Sequence, residues 1–145
     1  MAGRIELSAV PKPHVVVTAA IIERDGAFLL TRRLHGTHLE GYWEFPGGKC
    51  QAGETLVDSL VREIREELDA GVSVGPEILA TTHEYPERFI ELRFFRCTLL
   101  TDPGPALGQE MRWVRRDELT ILQLPPADDE LVRMLTAGGS RPPTI

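Results

Sequence analysis

Apolar residues fall along this chain in runs of two periods. Val15–Ile22 (VVVTAAII) is almost continuously apolar and rich in β-branched side chains, and after Glu23-Arg24-Asp25-Gly26 the apolar character resumes at Ala27–Thr31. Asp-Gly supplies the positive φ angles of a tight turn, so the two runs predict a β-hairpin. Arg33–Gly41 is polar, with two histidines and two glycines, and reads as a functional loop ahead of a short strand at Trp43–Phe45 and a turn at Pro46-Gly47-Gly48. The period then changes to that of a helix over Thr55–Ala70. Leu56, Val57, Leu60, Val61, Ile64 and Leu68 form one stripe, Thr55 with Asp58 resembles a capping box, and Gly71 is a natural stop. Strands follow at Ile78–Tyr85, Phe89–Leu100 and Met111–Arg115, the first two joined by a turn at Pro86-Glu87. Pro125-Pro126 precede a second helix whose apolar face is Leu131, Met134 and Leu135 and whose end is marked by Gly138-Gly139.

Mixed strands and helices place the chain in the α/β class, with an α+β mixed sheet as its variant. The 145 residues make one domain, with 1–13 and 138–145 as flexible termini. A formal charge of −6 argues against a nucleic-acid partner held on a broad basic face. A small anionic substrate remains, provided that a metal ion or a few placed cations neutralise it locally. Cys50 and Cys97 show no metal-binding spacing, and neither a membrane span nor a signal peptide is evident. The expectation is a cytoplasmic protein with no membrane partner, as a monomer or homodimer.

Within the first helix, Glu63, Glu66 and Glu67 are three and four residues apart, which puts three carboxylates on one side at the margin of the apolar stripe. Like charges at this spacing repel, by a few tenths of a kcal/mol per solvated pair and more where shielded. Mg²⁺ or Mn²⁺ would remove the conflict, since these cations take a few carboxylates and leave other positions to water and phosphate. The helix alone also permits a plainer reading, a solvated face on which Arg62 and Arg65 pair with the glutamates.

The spacing of the whole segment Gly47–Gly71 (GGKCQAGETLVDSLVREIREELDAG) decides between them. Gly48, five residues, Glu54, seven residues, Arg62-Glu63, aliphatic Ile64, one residue and Glu66-Glu67 resemble the Nudix box. That resemblance implies a Nudix α/β/α sandwich in which Glu63, Glu66 and Glu67 bind the metals, the Gly47 carbonyl is a further ligand, and Arg62 and Glu54 hold helix and loop in place. Asp69-Ala70 stand where the box ends in glycine and an aliphatic residue, so the helix is expected to run on to Gly71.

Similarity extends over Val15–Leu135 and is greatest to the MutT branch, which clears oxidised nucleotides such as 8-oxo-dGTP. It is carried by Thr31-Arg32-Arg33, Trp43–Lys49, Tyr85–Arg88, Trp113 and Leu124–Asp128. The resemblance implies metal-dependent hydrolysis of a nucleoside triphosphate to monophosphate and pyrophosphate by attack at the β-phosphorus. It sets Phe45, Arg33 and Arg88 around base and sugar and Lys49 near the phosphates. The plain alternatives are a core aromatic, two surface turn residues and a solvated lysine. His35, His38 and His83 are read as surface or satisfied polar residues. Leu107 occupies the place of a loop glutamate found in the MutT branch, so either Glu110 substitutes for it or the helix acids act unaided. CTP or dCTP is the alternative substrate, and a non-catalytic nucleotide sensor the alternative of another class. Base choice is expected to rest on Asp128, with Asp129 beside it as a carboxylate able to share its proton.

Overall fold

The computed structural model describes residues 12–139. Two four-stranded sheets form its framework. In the first, β1 (His14–Ile21) lies between β5 (Gly47–Lys49) and β7 (Arg88–Leu99), and β6 (Val72–Tyr85) pairs with β7 at the edge. The β1–β7 pair is parallel and the others antiparallel, so the sheet is mixed. In the second, β3 (Ala27–Arg32) is flanked by β2 (Glu23–Arg24), β4 (Trp43–Glu44) and β8 (Met111–Arg115), all antiparallel to it. Helices α1 (Leu56–Leu68) and α2 (Asp129–Gly139) complete the fold, with 3-10 turns at Arg116–Glu118 and Pro126–Asp128.

The near-continuous apolar run of β1 is explained by burial on both faces. Ala19 and Ile21 point into a core shared with Phe28, Leu30, Phe45, Phe94 and the α2 residues Leu131 and Leu135. Ala20 points the other way, with Ile22 just beyond β1, into a core shared with Leu29, Phe95 and the α1 residues Leu60, Ile64 and Leu68. Each helix therefore covers one apolar core, as the expected α/β/α layering requires.

Several local expectations need correction. Asp25 (φ 53°) and Gly26 (φ 79°) make the expected tight turn, but it joins only β2 to β3. The run before it belongs to the other sheet and changes sheets at Ile22, whose carbonyl accepts the Leu29 N–H at 3.0 Å. Pro46–Gly48 is not a simple turn. The Pro46 carbonyl accepts the Ala20 N–H at 2.8 Å, and the following glycines pair with β1. β6 begins six residues before the expected Ile78, because an edge strand tolerates Gly75-Pro76 by shifting register between Val74 and Leu79.

Helix α1 begins as expected, with Thr55 Oγ1 accepting the Asp58 N–H at 3.0 Å. Its end differs: Asp69 itself adopts the left-handed conformation (φ 51°, ψ 42°), so the helix stops at Leu68. Its last carbonyls are taken from outside, Glu67 by the Ala106 N–H (3.0 Å) and Leu68 by the Gly104 N–H (2.8 Å). Aspartate tolerates this conformation better than most residues, and the loop bonds stop the helix there. Val57, Val61 and Met134 are partly exposed rather than core. Of the termini expected to be flexible, Lys12 and Pro13 are tied to the β6–β7 hairpin, Lys12 through Glu84 and the Tyr85 carbonyl (3.0 Å) and Pro13 by its carbonyl to the Phe89 N–H (2.9 Å). Gly138 and Gly139 still belong to α2; residues 1–11 and 140–145 lie outside the described residues. No helix among the described residues is long and apolar enough to cross a membrane.

Candidate active site

Arg62 on α1 is the mechanical centre of the acidic segment. Its guanidinium grips Glu54 with two bonds, Nε to Oε2 at 2.6 Å and Nη2 to Oε1 at 3.0 Å. It also donates to the Lys49 carbonyl (3.0 Å), to Glu63 (3.1 Å) and to Glu66 (3.2 Å). Glu54 in turn accepts the Gln51 N–H at 2.8 Å. Helix and preceding loop are thus locked by one planar, multi-donor group. The Arg62 bond is the main reason that the Glu54 carboxyl sits below its usual pKa.

The two glycines of β5 allow this closeness. A Cβ on Gly47 would lie 1.9 Å from the Thr18 carbonyl oxygen, and one on Gly48 would lie 2.3 Å from the Glu63 carboxyl carbon. Only glycine lets the strand pair with β1 and pass over the helix acids at once. The Gly47 N–H donates to Glu67 at 3.3 Å, so strand and acid meet directly.

Glu67 is half-buried, and its pKa is pushed up to about 8, first by desolvation and then by the charges of Glu44 and Glu63. Glu66 is more exposed. Glu44 was not singled out as a site residue from the sequence. It is a partly buried carboxylate on β4, paired with Arg33 at 2.9 Å, and burial still raises its pKa. The signal for it was an acid set between aromatics in a short apolar strand.

As arranged here, Glu63 and Glu66 are turned to Arg62, and no three acids, histidines or cysteines among the described residues close around a point as a metal cage. The donor chemistry nevertheless fits a hard divalent cation. Oxygen ligands predominate, and Glu67 is half-buried against two like charges and, among the described residues, lacks a cationic side-chain partner. A cation here would compete with Arg62 for Glu63 and Glu66.

Beside the acids opens a cavity of about 220 Å³. It is lined by all five residues expected around a nucleotide: Arg33, Phe45, Lys49, Arg88 and Asp128. His38 is exposed, in keeping with its reading as a surface or satisfied polar residue, and it also lines this cavity, with its ring edge-on to Tyr85 at 5.9 Å. His83 packs tilted on the same tyrosine at 4.5 Å, and His35 pairs with Glu40 at 2.8 Å. Phe45 is both core and cavity wall. Asp128 is only 5% exposed, and no hydrogen bond to its carboxyl forms within the described residues. Burial, then the charges of Glu44 and Asp129, push its pKa up to about 7.

Glu110 is not brought to the acids. The β3–β8 register directs it to Arg32, which it meets at 2.8 Å, and it lines a separate hollow with Trp43 and Arg112. Leu107 and Gln109 instead share a hollow with Glu44 and Glu67. Gln109 staples its loop to α1, donating to the Glu67 carbonyl at 2.9 Å and accepting the Leu107 N–H at 2.9 Å.

Comparison with known proteins supplies a family. A model described as the NUDIX domain matches residues 17–134. The CTP pyrophosphohydrolase of Escherichia coli K12 is 37% identical over 128 residues, covering 85% of this chain and 92% of that protein. The 8-oxo-dGTP diphosphatase of Haemophilus influenzae is 36% identical over 127 residues, covering 86% and 93%. The solution structure of the E. coli ORF135 protein superposes with a TM-score of 0.79 at 32% identity, covering 92% of this chain and 96% of that one.

Proposed function

The chain belongs to the Nudix family of hydrolases and is a pyrophosphohydrolase, and from that premise we propose that it hydrolyses a nucleoside triphosphate to the monophosphate and pyrophosphate with Mg²⁺ or Mn²⁺, favouring oxidised purines such as 8-oxo-dGTP. The observation that carries this reading is the juxtaposition of two features. A half-buried carboxylate, Glu67, crowded by Glu44 and Glu63, lies next to a cavity that is lined by Asp128, whose carboxyl has no hydrogen-bond partner among the described residues.

In this reading Glu63, Glu66, Glu67 and the Gly47 carbonyl hold the cation, which when bound neutralises phosphate charge and makes water a better nucleophile. Arg62 and Glu54 keep α1 and its loop at fixed separation, so that the acids hold position without relying on the cation. Phe45 packs on the base, Arg33 and Arg88 flank base and sugar, and Lys49 draws the phosphates toward the acids. Asp128 reads the base edge. With a pKa near neutrality it offers an acceptor when ionised and a donor when protonated, which suits the donor and acceptor edge of an 8-oxo-purine.

CTP is the second reading. It is favoured by the name of the E. coli relative and by the match between an ionised Asp128 and the cytosine amino group. A panel of 8-oxo-dGTP, dGTP, CTP and dCTP, assayed for pyrophosphate with Mg²⁺ and with a chelator, tests both. The expected result is Mg²⁺-dependent pyrophosphate release, fastest at low concentration of 8-oxo-dGTP. Release of inorganic phosphate, or turnover in chelator, would overturn the scheme, and a higher kcat/KM for CTP would install the second reading.

A further inference from the structure

The sequence pairs Asp128 with Asp129, but the fold separates their side chains. Asp129 is exposed at the start of α2, whereas Asp128 is buried against the cavity. The other acid lining that cavity is Glu44, and its charge acts on Asp128 more strongly than that of Asp129. Glu44 also lines the neighbouring hollow that contains Glu67. One carboxylate thus stands between the base cavity and the acid row.

The grip of Glu44 is on Arg33. Arg33 Nη1 donates to Glu44 Oε1 at 2.9 Å, and Arg33 Nε donates to the His38 carbonyl. The backbone of Arg33 is fixed as well, its N–H on the Tyr42 carbonyl (2.8 Å) and its carbonyl on the Gly41 N–H (3.1 Å). A guanidinium has five N–H donors in a rigid plane, so two fixed bonds leave the others with a set direction. Arg33 lines the cavity with this plane already oriented, and less side-chain entropy is lost when a ligand acceptor meets it.

We infer that Glu44 is a specificity-determining positioning residue, which holds the Arg33 guanidinium so that the cavity presents donors at Arg33 and a carboxyl at Asp128 in fixed relation to one ligand. A base must then match both groups at once, and Asp129 has no part in the match. This inference rests on the reading of the cavity as a nucleobase site.

The test is binding of 8-oxo-dGMP, dGMP and CMP without metal, measured by calorimetry on the wild-type protein, Glu44→Gln, Arg33→Lys and the double variant, together with steady-state kinetics on 8-oxo-dGTP. Glu44→Gln is expected to weaken the tightest monophosphate about tenfold and to compress the ranking of the three. It should raise KM about tenfold while changing kcat by less than about threefold. Arg33→Lys keeps the charge but loses the planar fork, and should give the same pattern. The double variant should be no worse than the poorer single one, because both break one link. An unchanged ranking in both single variants would overturn the role of Glu44, as would a fall in kcat with KM and monophosphate binding unchanged. A wild-type protein that binds none of the monophosphates would overturn the reading of the cavity itself.

Discussion

The acid row and the base cavity adjoin each other but are built in opposite ways. The row comes from one segment, Gly47–Glu67, and its side chains are cross-bonded: Arg62 alone meets Glu54, Glu63, Glu66 and the Lys49 carbonyl. The cavity is assembled from five stretches of chain, around Thr18, Arg33, Phe45 to Lys49, Arg88 and Asp128, and among the described residues the Asp128 carboxyl has no hydrogen-bond partner. A segment that positions its own charges can be rigid before ligand arrives. A cavity with an unsatisfied carboxyl is completed by the ligand, because a buried polar group without a partner costs about 1–3 kcal/mol. The row is therefore suited to chemistry common to many nucleotides, and the cavity to discrimination among them.

The sharpest way to break this contrast is at Glu67. In the proposed scheme Glu67→Gln removes a ligand charge and should lower kcat about a hundredfold or more, measured as pyrophosphate release at saturating Mg²⁺. The same change relieves repulsion from Glu44 and Glu63, so the metal-free melting temperature should rise by a few degrees. Turnover near that of wild type would remove Glu67 from the metal site. Next in size is Gly47→Ala. Its Cβ would meet backbone at 1.9 Å, which no side-chain rotation can relieve. A loss of about 3 kcal/mol or more in denaturant unfolding is expected. Gly48→Ala meets only the movable Glu63 carboxyl and should cost activity more than stability.

This difference in construction also explains what could be read from the sequence. The acids, Arg62 and the glycine-rich strand lie at fixed spacings along one stretch, where local rules and a motif both apply. The five cavity residues could be named only by resemblance, yet all five line the cavity. Glu44 and His38 were missed as wall residues because the local pattern, an acid between two aromatics in one case and a loop histidine in the other, does not show which way they face. Their role depends on β4 pairing with β3 and on the loop folding back against Tyr85. Glu110 was proposed as a stand-in because it is close in sequence to Leu107, but strand register sends it to Arg32. The end of α1 was misjudged for a related reason, since the donors that stop it come from Gly104 and Ala106, remote in sequence.

The two regions should also separate by pH. Without metal, Glu67 is held at about 8 against an ordinary 4.5, and Asp128 at about 7 against 3.8. Between each pair of values the folded chain keeps a proton that the unfolded chain has released. These contributions are therefore fully present below the ordinary values and lost as pH rises through about 7 and then 8. Glu54 acts in the other direction, since its lowered pKa favours the folded state above 4.5 and loses that effect as pH falls. The metal-free protein should melt at its highest temperature in mildly acidic buffer and lose stability toward pH 8. Mg²⁺ should remove the part of the loss due to Glu67, and Asp128→Asn the part due to Asp128. Melting curves from pH 5 to 9 that show no decline would contradict both assignments.

A smaller effect is expected when Asp128 is replaced by alanine. Discrimination among 8-oxo-dGTP, dGTP and CTP should fall about tenfold, while kcat on the poorest of them changes little, since the acid row is untouched. Asp129→Ala should leave the ranking as it is, because that side chain faces solvent. If the ranking survives Asp128→Ala, the cavity does not read bases through this carboxyl.

The smallest effect is expected at Glu110, and it bears on how this chain manages without an acid at Leu107. Glu110 is exposed, bonded to Arg32 at 2.8 Å, and faces Trp43 and Arg112 rather than Glu67. An exposed ion pair of this kind contributes at most about 1 kcal/mol. Glu110→Gln should therefore change kcat/KM by less than about twofold, no more than Asp117→Asn on the exposed 3-10 turn. Leu107, by contrast, lines the hollow that holds Glu67 and Glu44, on a loop stapled to α1 by Gln109. A carboxylate placed there by Leu107→Glu would add a fourth acid to Glu44, Glu63 and Glu67. It should lower the metal-free melting temperature and tighten Mn²⁺ binding, both from the same added charge. If Glu110→Gln instead abolished turnover, the loop would have to move on binding substrate, and the static separation of Glu110 from the acid row would not describe the working enzyme.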